Sequence, residues 1–133
     1  MTYRIAEHPH EVSERVGEYL KEGNLDAIVT LFHPDCKIYL PPHEPPHEGH
    51  AGVRDAFAPF LESRPTLISQ ITGEAIIGDI ALLQAEWQLE DNNGNVLGKG
   101  NSTEVVKRLE NGGWGYFIDC PLGLPLTQSI GVE

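Results

Sequence analysis

Residues 78–121 read GDIALLQAEWQLEDNNGNVLGKGNSTEVVKRLENGGWGYFIDCP, and this stretch decides the fold class. Its apolar-rich runs are separated by short polar segments, two of which contain Asn-Gly. Such runs joined by Asn-Gly are typical of antiparallel hairpins. With one run upstream, the strands are predicted over residues 67–77, 80–90, 96–109 and 114–120.

The first part of the chain has the spacing of helices. Between residues 9 and 23 the apolar side chains fall on one helical stripe, formed by Val12, Val16, Tyr19 and Leu20. Asn24 is placed to cap a second helix that ends before Pro34. Helices followed by an antiparallel sheet form an α+β pattern, in which the helices cover one face of the sheet.

The segment between the second helix and the sheet mixes three predictions. Residues 36–40 alternate and are predicted to form a short strand. The Pro-rich loop 41–50 is predicted to be irregular, because Pro cannot donate to a sheet ladder. Residues 51–63 return to helical spacing and are predicted to form a third helix.

Length and charge exclude several classes of function. The 133 residues predict one domain over 1–133. Twenty acidic residues against nine basic ones give a net charge of -11. Nucleic acids and anionic membranes are bound largely through Lys and Arg, so we expect neither partner. A small molecule is the expected partner.

The compartment is predicted from three further features. The N-terminal residues are charged and lack the apolar run of a secretory signal, and no apolar run approaches the length of a membrane span. Cys36 and Cys120 form no CxxC motif and are expected to be free thiols, although a disulfide between them stays open. These features together predict a cytoplasmic protein.

Four short motifs carry a family resemblance. They are G-N-L-D-A at 23–27, G-x-x-x-V-R-x-x-F at 49–57, G-D-I-A-L at 78–82 and G-G-W…I-D-x-P at 112–121. In this order and spacing they resemble the SnoaL-like branch of the nuclear transport factor 2-like (NTF2-like) superfamily. The resemblance implies a core at 9–121 and a tail at 122–133. The resemblance implies a cystatin-like cone, in which a strongly curved, mainly antiparallel sheet wraps three N-terminal helices and leaves a pocket. It does not imply one activity, because one fold hosts many functions.

Comparison with ketosteroid isomerase, a distant member of the superfamily, excludes that reaction. The resemblance places the catalytic base position on Leu40 and the tyrosine position on Val16, and only Glu104 keeps an acid. Leucine cannot accept a proton, so this chain is not expected to be a ketosteroid isomerase.

The resemblance to polyketide cyclases points instead to Asp119 on the last strand. Asp119 is the predicted catalytic base and Glu104 the second acid, and carboxylates in one cavity separate their pKa values. Alternation places Phe117 in the cavity beside Asp119 and turns Trp114, Tyr116 and Ile118 outward. The predicted ligand-binding residues are Tyr19, Leu40, Phe57, Gln84, Glu86, Val106 and Phe117.

The other face of the strand at 80–90 predicts an interface. If Gln84 and Glu86 face the cavity, Leu83, Ala85 and Trp87 face outward. An apolar outer sheet face fits an isologous contact, so a homodimer is expected.

Two alternatives stay open for the acids. Arg108 could neutralise Glu104 or Glu86 on an exposed face, and a register error of one residue would turn every side chain over. The chain is therefore predicted to bind a small hydrophobic or carbonyl-containing molecule and to transfer protons without a cofactor, as an isomerase or cyclase does. The alternative is a non-catalytic NTF2-like module that binds a ligand passively or only dimerises.

The histidine-rich loop is not predicted to bind metal. His43, His47 and His50 alternate with acids, and these are possible zinc ligands. A Pro-rich loop does not by itself bring ligands together at fixed angles, so the histidines are expected at the rim of the pocket.

Overall fold

Helices lie in the first half of the protein and long strands in the second, as the α+β pattern predicted. The computed structural model describes residues 3–125, so residues 126–133 of the predicted tail lie outside the described part. Within it, the helices are α1 (Val12–Glu22), α2 (Leu25–Val29) and α3 (Gly49–Phe57). The strands are β1 (Phe32–Ile38), β2 (His47–Glu48), β3 (Thr66–Ile77), β4 (Ile80–Glu90), β5 (Val96–Arg108) and β6 (Trp114–Cys120).

The junction between α1 and α2 follows the prediction. All four residues of the predicted stripe are buried on α1. Gly23 ends that helix with a φ of 67°, a conformation that costs glycine little. Asn24 then caps α2, its side chain accepting a hydrogen bond from the backbone N–H of Ala27 at 3.1 Å.

Three boundaries differ from the prediction, and proline explains two of them. Strand β1 begins at Phe32 and runs through Pro34, because its pairing with β6 is interrupted between Phe32 and Lys37 and needs no N–H there. Helix α3 ends at Phe57, since Pro59 cannot continue the ladder and lies in a short 3-10 turn. The loop predicted as irregular contains the short strand β2, which pairs with β1.

The six strands of residues 3–125 form one sheet in the order β2-β1-β6-β5-β4-β3. Only the pairing of β1 with β6 is parallel, so the sheet is mainly antiparallel. Register shifts interrupt the β3–β4, β4–β5 and β5–β6 ladders. Such bulges bend and twist a sheet, as the predicted cone requires.

The helices pack on the inner face of this curved sheet. Helix α1 contacts β3 and β6, and α3 contacts β1 and β2. The core between the two layers contains the α1 stripe, Ile28, Phe32, Val53, Leu83 and Val106. The middle of the inner face is left for the site described next.

Candidate functional site

A cavity of about 150 Å³ lies between α1 and the inner face of β4, β5 and β6. Most of its wall is apolar or aromatic, and its charged side chains are Glu104 and Asp119. The lining residues are Ser13, Val16, Leu20, Leu40, Phe57, Phe60, Leu67, Ser69, Trp87, Leu89, Ser102, Glu104, Tyr116, Asp119 and Pro121. The cavity is therefore a mainly apolar site with a polar end.

Strand register brings the two acids together. Glu104 on β5 pairs directly with Asp119 on β6, and both side chains are buried, with 6% and 9% of their surface exposed. Directly opposite residues in an antiparallel pair have Cβ atoms about 4.5–5.5 Å apart. Two buried carboxylates at that separation repel each other if both are ionised.

Glu104 has one satisfied oxygen and one free oxygen. The Ser102 hydroxyl donates a hydrogen bond of 2.9 Å to Oε2. Among residues 3–125, Oε1 has no hydrogen-bond partner. Burial raises the pKa of the Glu104 carboxyl to about 7, and the bond from Ser102 works in the opposite direction. At neutral pH this carboxyl therefore exists in both protonation states, with an open acceptor.

The pKa of Asp119 is shifted in the same direction as that of Glu104. Burial, followed by the negative charge of Glu104, raises the pKa of Asp119 well above its ordinary value. The charge of Asp119 also contributes to raising the pKa values of the Cys36 and Cys120 thiols, behind the effect of burial. Both buried carboxyls are therefore shifted towards their protonated forms, and the pair retains a proton more readily than two exposed carboxyls would.

Tyr116 supplies a third polar group to the same end of the cavity. Burial raises the pKa of its hydroxyl well above the ordinary value, and the charges of Glu104 and Asp119 add to this effect. The hydroxyl therefore stays protonated.

Tyr116 faces inward because of a β-bulge at Phe117. Val106 pairs with Tyr116 but Val105 pairs with Ile118, so Phe117 is an extra residue in β6. Strict alternation had predicted Phe117 inside and Tyr116 outside, and both placements are wrong. Phe117 instead lies outside the cavity, with its ring 5.0 Å from the His33 ring and 4.6 Å from Lys107 Nζ.

The prediction for β4 has the two faces exchanged. Gln84 and Glu86 are exposed on the outer face, whereas Leu83 and Ala85 are 2% and 3% exposed on the inner face. Leu83 pairs directly with Glu104, so its face is also that of the buried acid. The predicted outer interface of Leu83, Ala85 and Trp87 is therefore wrong in its residues. Trp87 lines the cavity and donates a hydrogen bond of 2.7 Å from Nε1 to the Pro121 carbonyl.

The remaining predicted residues divide between the cavity and the core. Leu40 and Phe57 line the cavity, as do Asp119 and Glu104. Tyr19 and Val106 are buried in the core but do not line it.

Several lining residues were missed, and three of them had a signal in the sequence. Ser102 lies two residues before Glu104 on the same strand face, so alternation alone would have found it. The α1 stripe contains Val16 and Leu20, which point at the sheet and also line the cavity. Tyr116 had no such signal because of the bulge.

The alternative of salt-bridged acids does not hold for Glu104. Arg108 forms its ion pair with Asp79 at 3.4 Å and lies over the Trp114 ring. In the described part of the chain, no Lys, Arg or His forms an ion pair with Glu104 or Asp119.

The histidines of loop 41–50 do not converge. His50 lies in α3 and its Nε2 is hydrogen-bonded to the Phe32 carbonyl at 2.8 Å, while His47 lies in β2 and pairs with Ile38 of β1. Between residues 3 and 125 no group of three His, Cys, Asp or Glu side chains is arranged to hold a metal ion. No helix of this part is long and apolar enough to cross a membrane.

Comparison with known proteins identifies the family. The SnoaL-like domain family matches residues 14–112, and the chain belongs to it. The matched range includes Glu104 and ends before Asp119. No curated protein matches the chain.

Solved structures share the fold at low sequence identity. An NTF2-like protein of unknown function from Shewanella oneidensis is 17% identical, with a TM-score of 0.67 over 84% of this chain and 93% of that one. An NTF2-like protein with a cystatin-like fold from Novosphingobium aromaticivorans is 15% identical, with a TM-score of 0.67 over 90% and 80%. A cystatin-like protein of unknown function from Nostoc punctiforme is 17% identical, with a TM-score of 0.64 over 89% and 92%. The NTF2-like, cystatin-like fold is thereby confirmed.

Proposed function

We propose that this protein binds a small, mainly apolar molecule in its cone and exchanges a proton with it through Glu104 and Asp119, without a cofactor. The observation that carries the proposal is the buried pair of Glu104 and Asp119 in an apolar cavity. Among residues 3–125, Oε1 of Glu104 has no hydrogen-bond partner there. Buried titratable groups with shifted pKa values in a pocket are typical of acid–base sites.

The two acids have different roles in this proposal, and the roles are the reverse of those predicted from the sequence. The ionised Glu104 accepts a proton at Oε1, because its pKa of about 7 matches neutral pH and that oxygen is open. The protonated Asp119 and the Tyr116 hydroxyl are hydrogen-bond donors, suited to an oxygen that gains negative charge. An enolisable carbonyl compound fits this set.

A groove between α1 and β3 is the proposed way in. Ser13, Leu67 and Ser69 line both this surface groove and the cavity.

The test is hydrogen–deuterium exchange at the carbon beside the carbonyl of cyclohexanone, monitored by NMR in D2O. We expect the protein to accelerate exchange, and Glu104→Gln to reduce this acceleration about 100-fold. Glu86→Gln is the matched control, because it removes the same charge from the exposed outer face. Exchange that is not accelerated, in a protein that still binds the ketone, would instead support the non-catalytic binding module.

We also propose a homodimer, formed through a different set of outer-face residues. The register places apolar residues side by side across four strands, in the row Ala75, Leu82, Val105 and Ile118, with Ile77 and Ile80 beside it. Leu82 is 50% exposed and Ile77 81% exposed. A second copy of the same apolar row is its expected occupant, through an isologous contact.

Two buried, unpaired cysteines are compatible with the cytoplasm as the compartment.

A further inference from the structure

We infer that the molecule held in the cavity carries a protonated amine, and that this group contacts the free oxygen of Glu104. The inference rests on the ligand binding in the proposed function and not on the proton exchange, because an ammonium group on Oε1 occupies the oxygen that would accept the proton. It narrows the ligand to a small organic cation with an apolar body.

The negative charge of the two cavity carboxyl groups is not balanced by any cation of the described residues. The cavity wall contains two carboxyl groups and, among residues 3–125, no Lys, Arg or His. Buried charges in proteins are normally paired, since an unpaired one is costly. The missing partner of Glu104 is therefore expected to arrive with the ligand.

The second argument is the geometry of that carboxylate. Only 6% of the surface of Glu104 is exposed, and the hydrogen bond from Ser102 reaches only Oε2. Oε1 has no partner within the described residues, and the side chain lines the cavity. A carboxylate oxygen accepts hydrogen bonds only, so its ligand must offer an N–H or O–H. A charged donor makes the stronger bond.

The third argument is electroneutrality. Two carboxyl groups directly opposite each other on neighbouring strands favour sharing one proton. With one proton between them, one bound monocation gives a buried site of zero net charge. A neutral ligand leaves one uncompensated negative charge in an apolar wall, and a carboxylate ligand adds a second. Desolvation therefore favours a cation over both.

The aromatic wall supports the same ligand class. The cavity is lined by Phe57, Phe60, Trp87 and Tyr116. Aromatic faces attract organic cations, most strongly where water is excluded. An apolar cavity of about 150 Å³ holds a benzene ring, so the ligand is of the size of a one-ring amine.

The test uses three probes of nearly equal size and different charge: benzylamine, benzyl alcohol and benzoate. Their binding to the full-length chain is measured by isothermal titration calorimetry at neutral pH. We expect benzylamine to bind about tenfold or more tightly than benzyl alcohol, and benzoate to bind most weakly. Glu104→Gln should remove the advantage of benzylamine, so that benzylamine and benzyl alcohol bind to the variant with affinities within about threefold of each other.

A matched control separates the site from the general acidity of the chain. Glu86→Gln lowers the net negative charge by the same amount from the outer face, and should keep the preference for benzylamine. Equal loss of preference in both variants would overturn the inference, as would a wild-type protein that binds the alcohol or benzoate as tightly as the amine. In either case binding of the alcohol leaves the proposed function standing.

Failure of all three probes to bind would instead contradict the proposed function itself. The comparison of the three probes on the wild-type chain needs no variant, so it remains decisive if Glu104→Gln does not fold.

Discussion

Glu104 and Asp119 face each other across β5 and β6, buried in the same cavity without a cation from the described residues. Like charges directly opposite on neighbouring strands destabilise a sheet. The arrangement is stable at neutral pH because a proton is retained by the pair. The predictions below follow from where that proton resides and from what surrounds it.

The acid pair makes stability depend on pH. The pKa of Glu104 rises from 4.5 to about 7 on folding, so between these values the folded state binds more protons than the unfolded state. The free energy of unfolding therefore falls as pH rises through this window. Asp119 acts in the same direction, whereas Tyr116, Cys36 and Cys120 titrate above it. Urea unfolding from pH 4.5 to 7.5 measures this effect.

Glu104→Gln should flatten that dependence. At 1.36 kcal/mol per pKa unit, the contribution of Glu104 to the fall is roughly 3 kcal/mol. Glu86→Gln, on the outer face, should keep the fall of the wild-type protein. An unchanged slope in Glu104→Gln would show that Glu104 does not retain a proton on folding.

Ser102 tunes Glu104 through one hydrogen bond. That bond stabilises the ionised carboxylate and so lowers its pKa against the effect of burial. Ser102→Ala should therefore raise the pKa of Glu104 above about 7, as followed by 13C NMR of the side-chain carboxyl. Ser69→Ala is the control, because Ser69 lines the cavity but has no hydrogen bond to Glu104. A lower pKa in Ser102→Ala would contradict the account.

Phe57 and Phe117 were both predicted to lie in the pocket, but replacing each by Ala should affect ligand binding differently. Phe57 lines the cavity and packs edge-to-face against Phe32, with 5.8 Å between ring centroids. Phe57→Ala should enlarge the cavity, weaken binding of one-ring ligands about tenfold and cost roughly 3 kcal/mol of stability.

Phe117→Ala should leave ligand affinity within about twofold, because Phe117 lies at the bulge outside the cavity. Calorimetric titration of both variants with the same ligand makes the comparison. Equal losses of affinity would show that the bulge does not direct Phe117 away from the site.

The outer apolar row predicts the effect of one surface charge. Leu82 lies in the middle of that row and is 50% exposed. Leu82→Glu should convert the dimer into a monomer in sedimentation velocity, because two copies of the charge would face each other. Gln84→Glu, further along the same strand face and outside the row, should dissociate it less. A monomeric wild-type protein would contradict the dimer.

Local patterns in the sequence predicted most of the fold. The stripe on α1, the cap at Asn24 and the bounds of β4 and β6 all follow from spacing and turn residues close in the chain. The boundaries that failed, at β1 and α3, depend on where Pro34 and Pro59 are tolerated. Tolerance of a proline depends on the partner strand or on the turn that follows, and neither is local information.

The site was predicted less well because it depends on strand faces. On β4 the polar residues Gln84 and Glu86 were assigned to the cavity. The apolar residues of β4, among them Leu83, lie on the inner face instead, as the ordinary rule for a sheet with one buried face would have indicated. On β6 no pattern announces the bulge at Phe117, since it arises from pairing with β5. Asp119 was predicted to face the cavity and does so, whereas the residue beside it on that face is Tyr116 and not the predicted Phe117.

Glu104 is expected to titrate near neutrality inside this cavity, and a 13C NMR titration of its carboxyl in the ligand-free protein measures this. Comparison with the Glu104→Gln spectrum assigns the signal. The account predicts a midpoint of about 7. A midpoint at the ordinary value of 4.5 would contradict this expectation, because burial beside Asp119 would then leave the pKa of Glu104 unchanged.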